Sequence, residues 1–225
     1  KFVMVSTDKA VNPTNVMRTT KRISEIYIQS LSDRQDSETE FITTRFGNVL
    51  GSAGSVVKTF EKQIKAGGPI TITHPDITRY FMTIPEASKL VLEAGNIGES
   101  GDILLFDMGK PVKIMDLAKR MIQLAGLKPN DIAILQTGWR PGEKRYEELF
   151  KDSEEFAETY HPRILRAKKC ASFNDEFGSL LLELQQAALM HNNEIIPFIL
   201  RKMVPEFSSG SSLKIGTEIL EQSKS

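Results

Sequence analysis

The sequence predicts an α/β protein with a largely parallel sheet. Short apolar runs that read as buried strands alternate with helical patterns, the rhythm of βαβ units. Two of the strand ends open into polar or glycine-rich segments, the places where open α/β sheets keep their ligands.

The elements follow in order. Phe2-Val3-Met4-Val5 is a short strand ending in the polar tetrad Ser6-Thr7-Asp8-Lys9. Val16, Ile23, Ile26, Tyr27 and Leu31 form one stripe and predict a helix over 16–31. A charged loop leads to a strand over 40–45, and a glycine-rich stretch, 46–55, leads to a helix over 56–65 stopped by Gly67-Gly68-Pro69. Residues 70–73 and 79–83 are strand-like, and Pro85 opens a helix reaching Ala94. A strand over 103–107, a helix over 112–124 and a strand over 132–136 continue the alternation. Residues 139–148 read as a turn entering a helix, 163–167 as a last strand, and 175–190 and 195–203 as helices. The serine-rich stretch 207–225 is expected to be a flexible tail.

Composition narrows the function classes. With 29 basic and 29 acidic side chains the formal net charge is zero, which predicts neither nucleic acid nor an anionic membrane surface as partner. No apolar run approaches the roughly 20 residues of a membrane span, and no signal peptide opens the chain. The single cysteine, Cys170, permits no internal disulfide and reads as structural, suiting a reducing cytoplasmic setting. His74, His161 and His191 lack ligand spacing, so no metal is expected. An apolar strand starting at the second residue reads as an excerpt of a longer protein.

Three clusters carry candidate chemistry. Asp8 beside Lys9 at a strand end offers a proton donor and a proton acceptor, or simply a turn cap and a solvated amine. Gly47-Asn48-Val49-Leu50-Gly51-Ser52-Ala53-Gly54-Ser55 runs into a helix, whose first N–H groups suit a phosphate or are capped by serine. Arg79 and Arg140 could fork onto a diphosphate, with Glu143 beside them for a sugar hydroxyl; surface ion pairing is the plain alternative.

Together these segments resemble one family. Val5-Ser-Thr-Asp-Lys-Ala-Val-Asn-Pro-Thr-Asn-Val-Met17, Thr44-Arg-Phe-Gly-Asn-Val-Leu-Gly-Ser52, Thr78-Arg-Tyr-Phe-Met-Thr-Ile-Pro-Glu86 and Arg140-Pro-Gly-Glu-Lys144 are similar to nucleoside-diphosphate-sugar 4,6-dehydratases. The likeness is to the capsular-polysaccharide type acting on UDP-N-acetylglucosamine, within the extended short-chain dehydrogenase/reductases. It implies an incomplete Rossmann-like doubly wound parallel sheet with a smaller substrate-binding α/β region, residues 1–206 being the C-terminal part of a dinucleotide-binding domain interleaved with the substrate-binding region. It also implies NAD as cofactor, a UDP-sugar substrate and a 4-keto-6-deoxy product. By position Asp8 would protonate the departing 6-hydroxyl, Lys9 would take the C5 proton, and Thr7 would serve the 4-hydroxyl. Lys21, Phe46 and Val49 would meet the cofactor, with Lys21 also catalytic by lowering the pKa of a neighbour, Thr7; Asn48, Ser52, Arg79, Arg140 and Glu143 would meet the substrate. A homo-oligomer through the helix near Lys21 is implied, with a place on the cytoplasmic face of a membrane if hydrophobic spans precede the chain.

The sequence departs from this pattern in three places. Met17 stands four residues before Lys21, where the superfamily has tyrosine, and a thioether accepts no proton from a hydroxyl. Arg18 replaces a usual glycine, a change that leaves the cofactor helix undisturbed if the side chain points outward. Gly-x-Gly-x-x-Gly occurs nowhere, and the first strand corresponds to a middle strand, open on a side that should be paired. Two alternatives stay open: a non-catalytic remnant that binds a sugar nucleotide or a protein, and a nucleotide-sugar 4-epimerase.

Overall fold

The computed structural model describes residues 1–34, 37–150, 155–167 and 175–208. Cys170 and the stretch 209–225 lie outside the described residues. In chain order the elements are β1 (Phe2–Val5), a 3₁₀ turn (Asp8–Ala10), α1 (Val16–Ser32), β2 (Phe41–Arg45), β3 (Asn48–Val49), α2 (Val56–Lys65), β4 (Ile70–Ile72), β5 (Thr78–Arg79), β6 (Phe81–Met82) and α3 (Ile84–Ile97). Then come β7 (Ile103–Phe106), β8 (Val112–Lys113), α4 (Ile114–Leu124), β9 (Ile134–Gln136), β10 (Phe156–Glu158), β11 (Ile164–Ala167), α5 (Asp175–Leu189) and α6 (Ile196–Met203).

The main sheet has the order β1-β2-β7-β11-β10. β1, β2 and β7 are parallel, as the alternation predicts. β11 runs antiparallel to β7 and to β10, so the sheet is mixed. The turn between β10 and β11 is too short for a crossover, which forces the antiparallel return. β1 lies at the sheet edge, with Phe2 and Val5 about half exposed.

Strand alternation covers the sheet on both faces. Ile42, Leu104, Phe106 and Ile164 pack on one side against Ala87, Leu90 and Ala94 of α3. The opposite side of β2 presents Arg45 to Glu25 of α1. Outside α1, Ile23 and Ile26 pack on Phe177 and Leu180 of α5 and on Ile199, Leu200 and Met203 of α6. Phe207 is buried in this cluster and completes its apolar layer. A separate cluster of Phe60, Ile70, Ile72, Ile114, Ala118 and Ile122 joins α2, α4 and β4 into the smaller α/β region.

One segment differs from expectation. Residues 139–148 form a turn but enter no helix. The Arg145 carbonyl accepts the Thr78 N–H at 3.3 Å and the Arg79 guanidinium at 3.2 Å, so it is spent on β5.

The sheet face toward α1 is charged, and its centre is Glu25, with no exposure. Its Oε1 accepts from the Ser6 hydroxyl at 2.7 Å and Arg45 Nε at 2.8 Å; its Oε2 accepts from Arg45 at 2.7 Å and Arg22 at 3.0 Å. Burial pushes the Glu25 carboxyl up, but Arg45, Arg22 and Ser6 outweigh it and hold the group below the ordinary carboxylate range. A carboxyl lowered in the folded state stabilises fully above its unfolded value and loses that contribution as pH falls through the folded one. Stability should therefore decline on acidification, not on alkalinisation, through this group. Glu25→Ala would leave Arg45 and Arg22 buried without their shared carboxylate. Equilibrium urea unfolding should show a loss of about 3–5 kcal/mol; a change under about 1 kcal/mol would mean that the arginines find other partners.

Candidate functional site

A cleft of about 790 Å³ lies where the carboxyl ends of the main strands face the smaller α/β region. β1 ends into Thr7 and Lys9, α1 contributes Met17 and Lys21, and β3 contributes Asn48 and Val49. The start of α2, Arg79 of β5, and Arg140 and Glu143 complete the wall.

The tetrad continues the sheet ladder before it turns. Ser6 N–H donates to Thr44 O at 2.7 Å and Asp8 N–H to Phe46 O at 3.1 Å. This pairing, with the Ser6 bond to Glu25, fixes where Thr7, Asp8 and Lys9 stand. The Thr7 hydroxyl donates to Asp8 Oδ1 at 2.8 Å. Lys9 Nζ donates to the same oxygen at 2.9 Å and to Asn48 Oδ1 at 2.7 Å. Asp8 itself is 1% exposed and does not line the cleft; its Oδ2 is buried without a hydrogen-bond partner. The carboxyl thus communicates with the cleft through the Thr7 hydroxyl and the Lys9 amine.

Opposite this group, Met17 and Lys21 share one face of α1, four residues apart. Met17 is 54% exposed, so its thioether forms open wall rather than core. The first turn of α2 faces the cleft with no side-chain hydrogen bond from its N-cap, Ser55. Its free N–H groups and positive dipole end suit an anion.

A second buried carboxylate organises the far wall. Glu147 accepts both Arg18 guanidinium nitrogens, at 2.6 and 2.7 Å, and lies 3.5 Å from Arg79 Nε. Burial pushes the Glu147 carboxyl up, but Arg18 above all, then Arg79 and Lys9, hold it below the ordinary range. Arg79 also pairs with Glu143 at 3.4 Å and donates to the Thr78 and Arg145 carbonyls. The Thr14 hydroxyl donates to Gly142 O at 2.6 Å, and Lys144 Nζ to Val11 O at 3.2 Å. The segment around Arg140 is thereby tied to the entry of α1.

The cleft brings together Thr7, Lys9, Lys21, Asn48, Val49, Ser52, Arg79, Arg140 and Glu143 among the residues expected from sequence. Asp8 sits just beneath the wall. Phe46 is not brought there: it follows the last residue of β2, and its ring is buried in the core, stacked on Phe106 at 5.2 Å. Arg18 does not point outward; Glu147 draws it inside, to 5% exposure. Glu147 escaped the sequence reading, since an acidic pair in a polar segment carries no mark of burial.

The family model for polysaccharide biosynthesis proteins matches residues 1–169. The chain belongs to this family. It is 58% identical over 168 residues to the capsular polysaccharide biosynthesis protein CapD of Staphylococcus aureus, covering 75% of this chain and 28% of CapD. It is 55% identical over 163 residues to the probable polysaccharide biosynthesis protein EpsC of Bacillus subtilis, covering 72% of this chain and 27% of EpsC. The chain thus spans little more than a quarter of either relative. Among solved structures it is similar to Pen from Bacillus thuringiensis, at TM-score 0.66 and 36% identity, over 73% of this chain and 51% of that one. A dTDP-glucose 4,6-dehydratase from Bacillus anthracis in complex with NAD shares the fold, at TM-score 0.54 and 15% identity over 66% of this chain and 52% of that one.

Gly142 is the tightest point of the second network. A Cβ there would stand 2.5 Å from Thr14 O, and the residue holds a φ of +69°, which a side chain rarely adopts. Gly142→Ala should unseat the segment from α1, with amide exchange over 140–148 rising at least about tenfold while the β2 and β7 amides stay protected. Uniform loss of protection, or none, would show that this contact does not govern the segment.

Proposed function

We propose that this chain carries the substrate-binding and acid–base part of an NAD-dependent nucleotide-sugar 4,6-dehydratase, acting on UDP-N-acetylglucosamine for polysaccharide biosynthesis. One observation carries the reading: Thr7, Asp8 and Lys9 form a single hydrogen-bonded chain at the cleft, and Met17 stands where an epimerase would need a basic hydroxyl.

The residues present fit the nicotinamide end of NAD. Lys21 offers a cation for ribose hydroxyls, and Met17 and Val49 offer apolar wall. When bound, NAD supplies the hydride acceptor for C4 and the hydride donor for C6. The chain's own groups manage the protons. The Thr7 oxygen takes the 4-hydroxyl proton as Thr7 passes its own to Asp8 Oδ1, along the 2.8 Å bond. Once Asp8 holds a proton, Lys9 releases one ammonium proton to solvent through the cleft, and the neutral amine takes the C5 proton. The C6–O bond breaks, and the departing oxygen takes the proton held by Asp8, again through Thr7. Lys9 then returns its proton to C5. Because Asp8 is buried, this relay replaces direct contact between Asp8 and the sugar. Arg140 and the start of α2 receive the diphosphate, with Arg79 sharing it as Glu143 turns to a ribose hydroxyl. We place the enzyme in the cytoplasm, as a homo-oligomer; a relative in Methanocaldococcus jannaschii described as an uncharacterized membrane protein, 48% identical over 159 residues, supports a position at a membrane.

A 4-epimerase is the second reading, favoured by a Rickettsia rickettsii relative described as UDP-glucose 4-epimerase, 39% identical over 155 residues. The product decides between them: a dehydratase releases one water and yields a 4-keto-6-deoxy sugar, whereas an epimerase keeps the mass unchanged.

In the complete enzyme, Lys9→Ala and Asp8→Asn should lower kcat by about 10²–10⁴-fold with KM little changed. Solvent deuterium should no longer enter C5 with Lys9→Ala; exchange at the wild-type rate would remove Lys9 from this role. Thr7→Val should abolish NADH formation in a single turnover, and an intact burst would exclude the relay. The 225-residue chain alone should retain little NAD and show no turnover, since it has no Gly-x-Gly-x-x-Gly turn for the pyrophosphate; stoichiometric NAD in the purified chain would contradict this.

A further inference from the structure

The lip of the cleft carries an aromatic pair that the acid–base chemistry leaves unused. β4 and β9 run parallel with Ile72 opposite Gln136, and their pairing continues outward: the Thr137 N–H and hydroxyl both reach Ile72 O, at 2.8 and 3.3 Å. Just beyond, His74 and Trp139 stack with ring centroids 4.9 Å apart and planes within 20°. The imidazole is held in place, since its Nδ1 accepts the Asp76 N–H at 3.2 Å. Gly138, at a φ of +84°, makes the left-handed turn between cleft-lining Thr137 and Trp139. Trp139 remains 47% exposed, with no second ring against it among the described residues.

The neighbours of this pair are ordered. Arg140 follows Trp139 on the cleft wall, and its N–H donates to Glu143 Oε2 at 3.4 Å. Glu143 Oε1 accepts the hydroxyl of Thr73, the residue before His74, at 3.2 Å. Cation, carboxylate and aromatic face are therefore neighbours at the lip, Arg140 next to Trp139 in the chain and Glu143 tied to both Arg140 and the residue before His74. A nucleoside diphosphate presents the complementary set, diphosphate, ribose hydroxyls and a flat base, within one short molecule. A fixed, half-open indole is a low-entropy surface for a flat ring.

We propose that Trp139, backed by His74, is the stacking platform for the nucleobase of a nucleoside-diphosphate ligand whose diphosphate meets Arg140 and whose ribose meets Glu143. This rests on the nucleotide-sugar reading and adds to it the subsite for the base. Stacking tolerates any base, so the platform supplies affinity and orientation, and the choice of uracil lies elsewhere.

Trp139 is the only tryptophan of the chain, so its fluorescence reports this subsite directly. Titration with UDP should quench it, and inorganic pyrophosphate should compete with UDP without quenching. By calorimetry Trp139→Ala should weaken UDP binding roughly 5- to 150-fold, leave pyrophosphate affinity unchanged, and be largely rescued by Trp139→Phe. Unchanged UDP affinity in Trp139→Ala would overturn the platform while leaving the nucleotide reading intact. Equal losses for UDP and pyrophosphate would overturn it too, assigning Trp139 to support of the Arg140 turn. A wild-type chain that binds no UDP would overturn both.

Discussion

The buried carboxylate of Glu25 is the constraint on which the rest of the main layer depends. Two arginines, Arg45 from β2 and Arg22 from α1, and the Ser6 hydroxyl from the end of β1 converge on its two oxygens. Leaving any of these groups buried and unpaired is costly, so the three elements have one mutually acceptable arrangement. Arg22 extends the set to Glu206, 3.4 Å away, and thereby reaches the segment that follows α6. A helix packed on a strand by apolar contacts alone could slide; this one is indexed.

The functional consequence follows from chain adjacency. Ser6 is held by Glu25, and Thr7, Asp8 and Lys9 are the next three residues. Structural electrostatics thus stops one residue short of the cleft, and the group proposed for acid–base chemistry begins there. Asp8 is recessed with one oxygen unpartnered, while Thr7 and Lys9 reach the wall, so any proton that Asp8 gives or takes has a defined route.

Glu147 repeats the same logic on the far wall, where it holds Arg18 and Arg79 and leaves Arg140 on the exposed turn. Arg79 has most of its donors committed to Glu143, Glu147 and two carbonyls. An incoming diphosphate would meet one cation in open position and another that must first loosen its carboxylates. On the proposed reading, that arrangement suits a ligand with two linked anionic groups, one for each cation.

The sequence by itself determined the class of fold and most of its elements, because strand and helix periodicities in residues such as 41–45, 103–106 and 16–31 are local properties of the chain. It also brought out the site residues that sit at strand ends, Thr7, Lys9 and Asn48, since an open sheet delivers such positions to one edge. Only the tertiary structure decided what depends on partners remote in sequence. Arg18 turned inward because Glu147, 129 residues away, supplies a fork of acceptors. Residues 143–148 stayed out of a helix because β5 claimed the Arg145 carbonyl. Phe46, just past the end of β2, went to the core against Phe106, and Asp8 went beneath the cleft floor. The edges, pairings and burial of charge are set by where the chain returns, and no local pattern encodes a return.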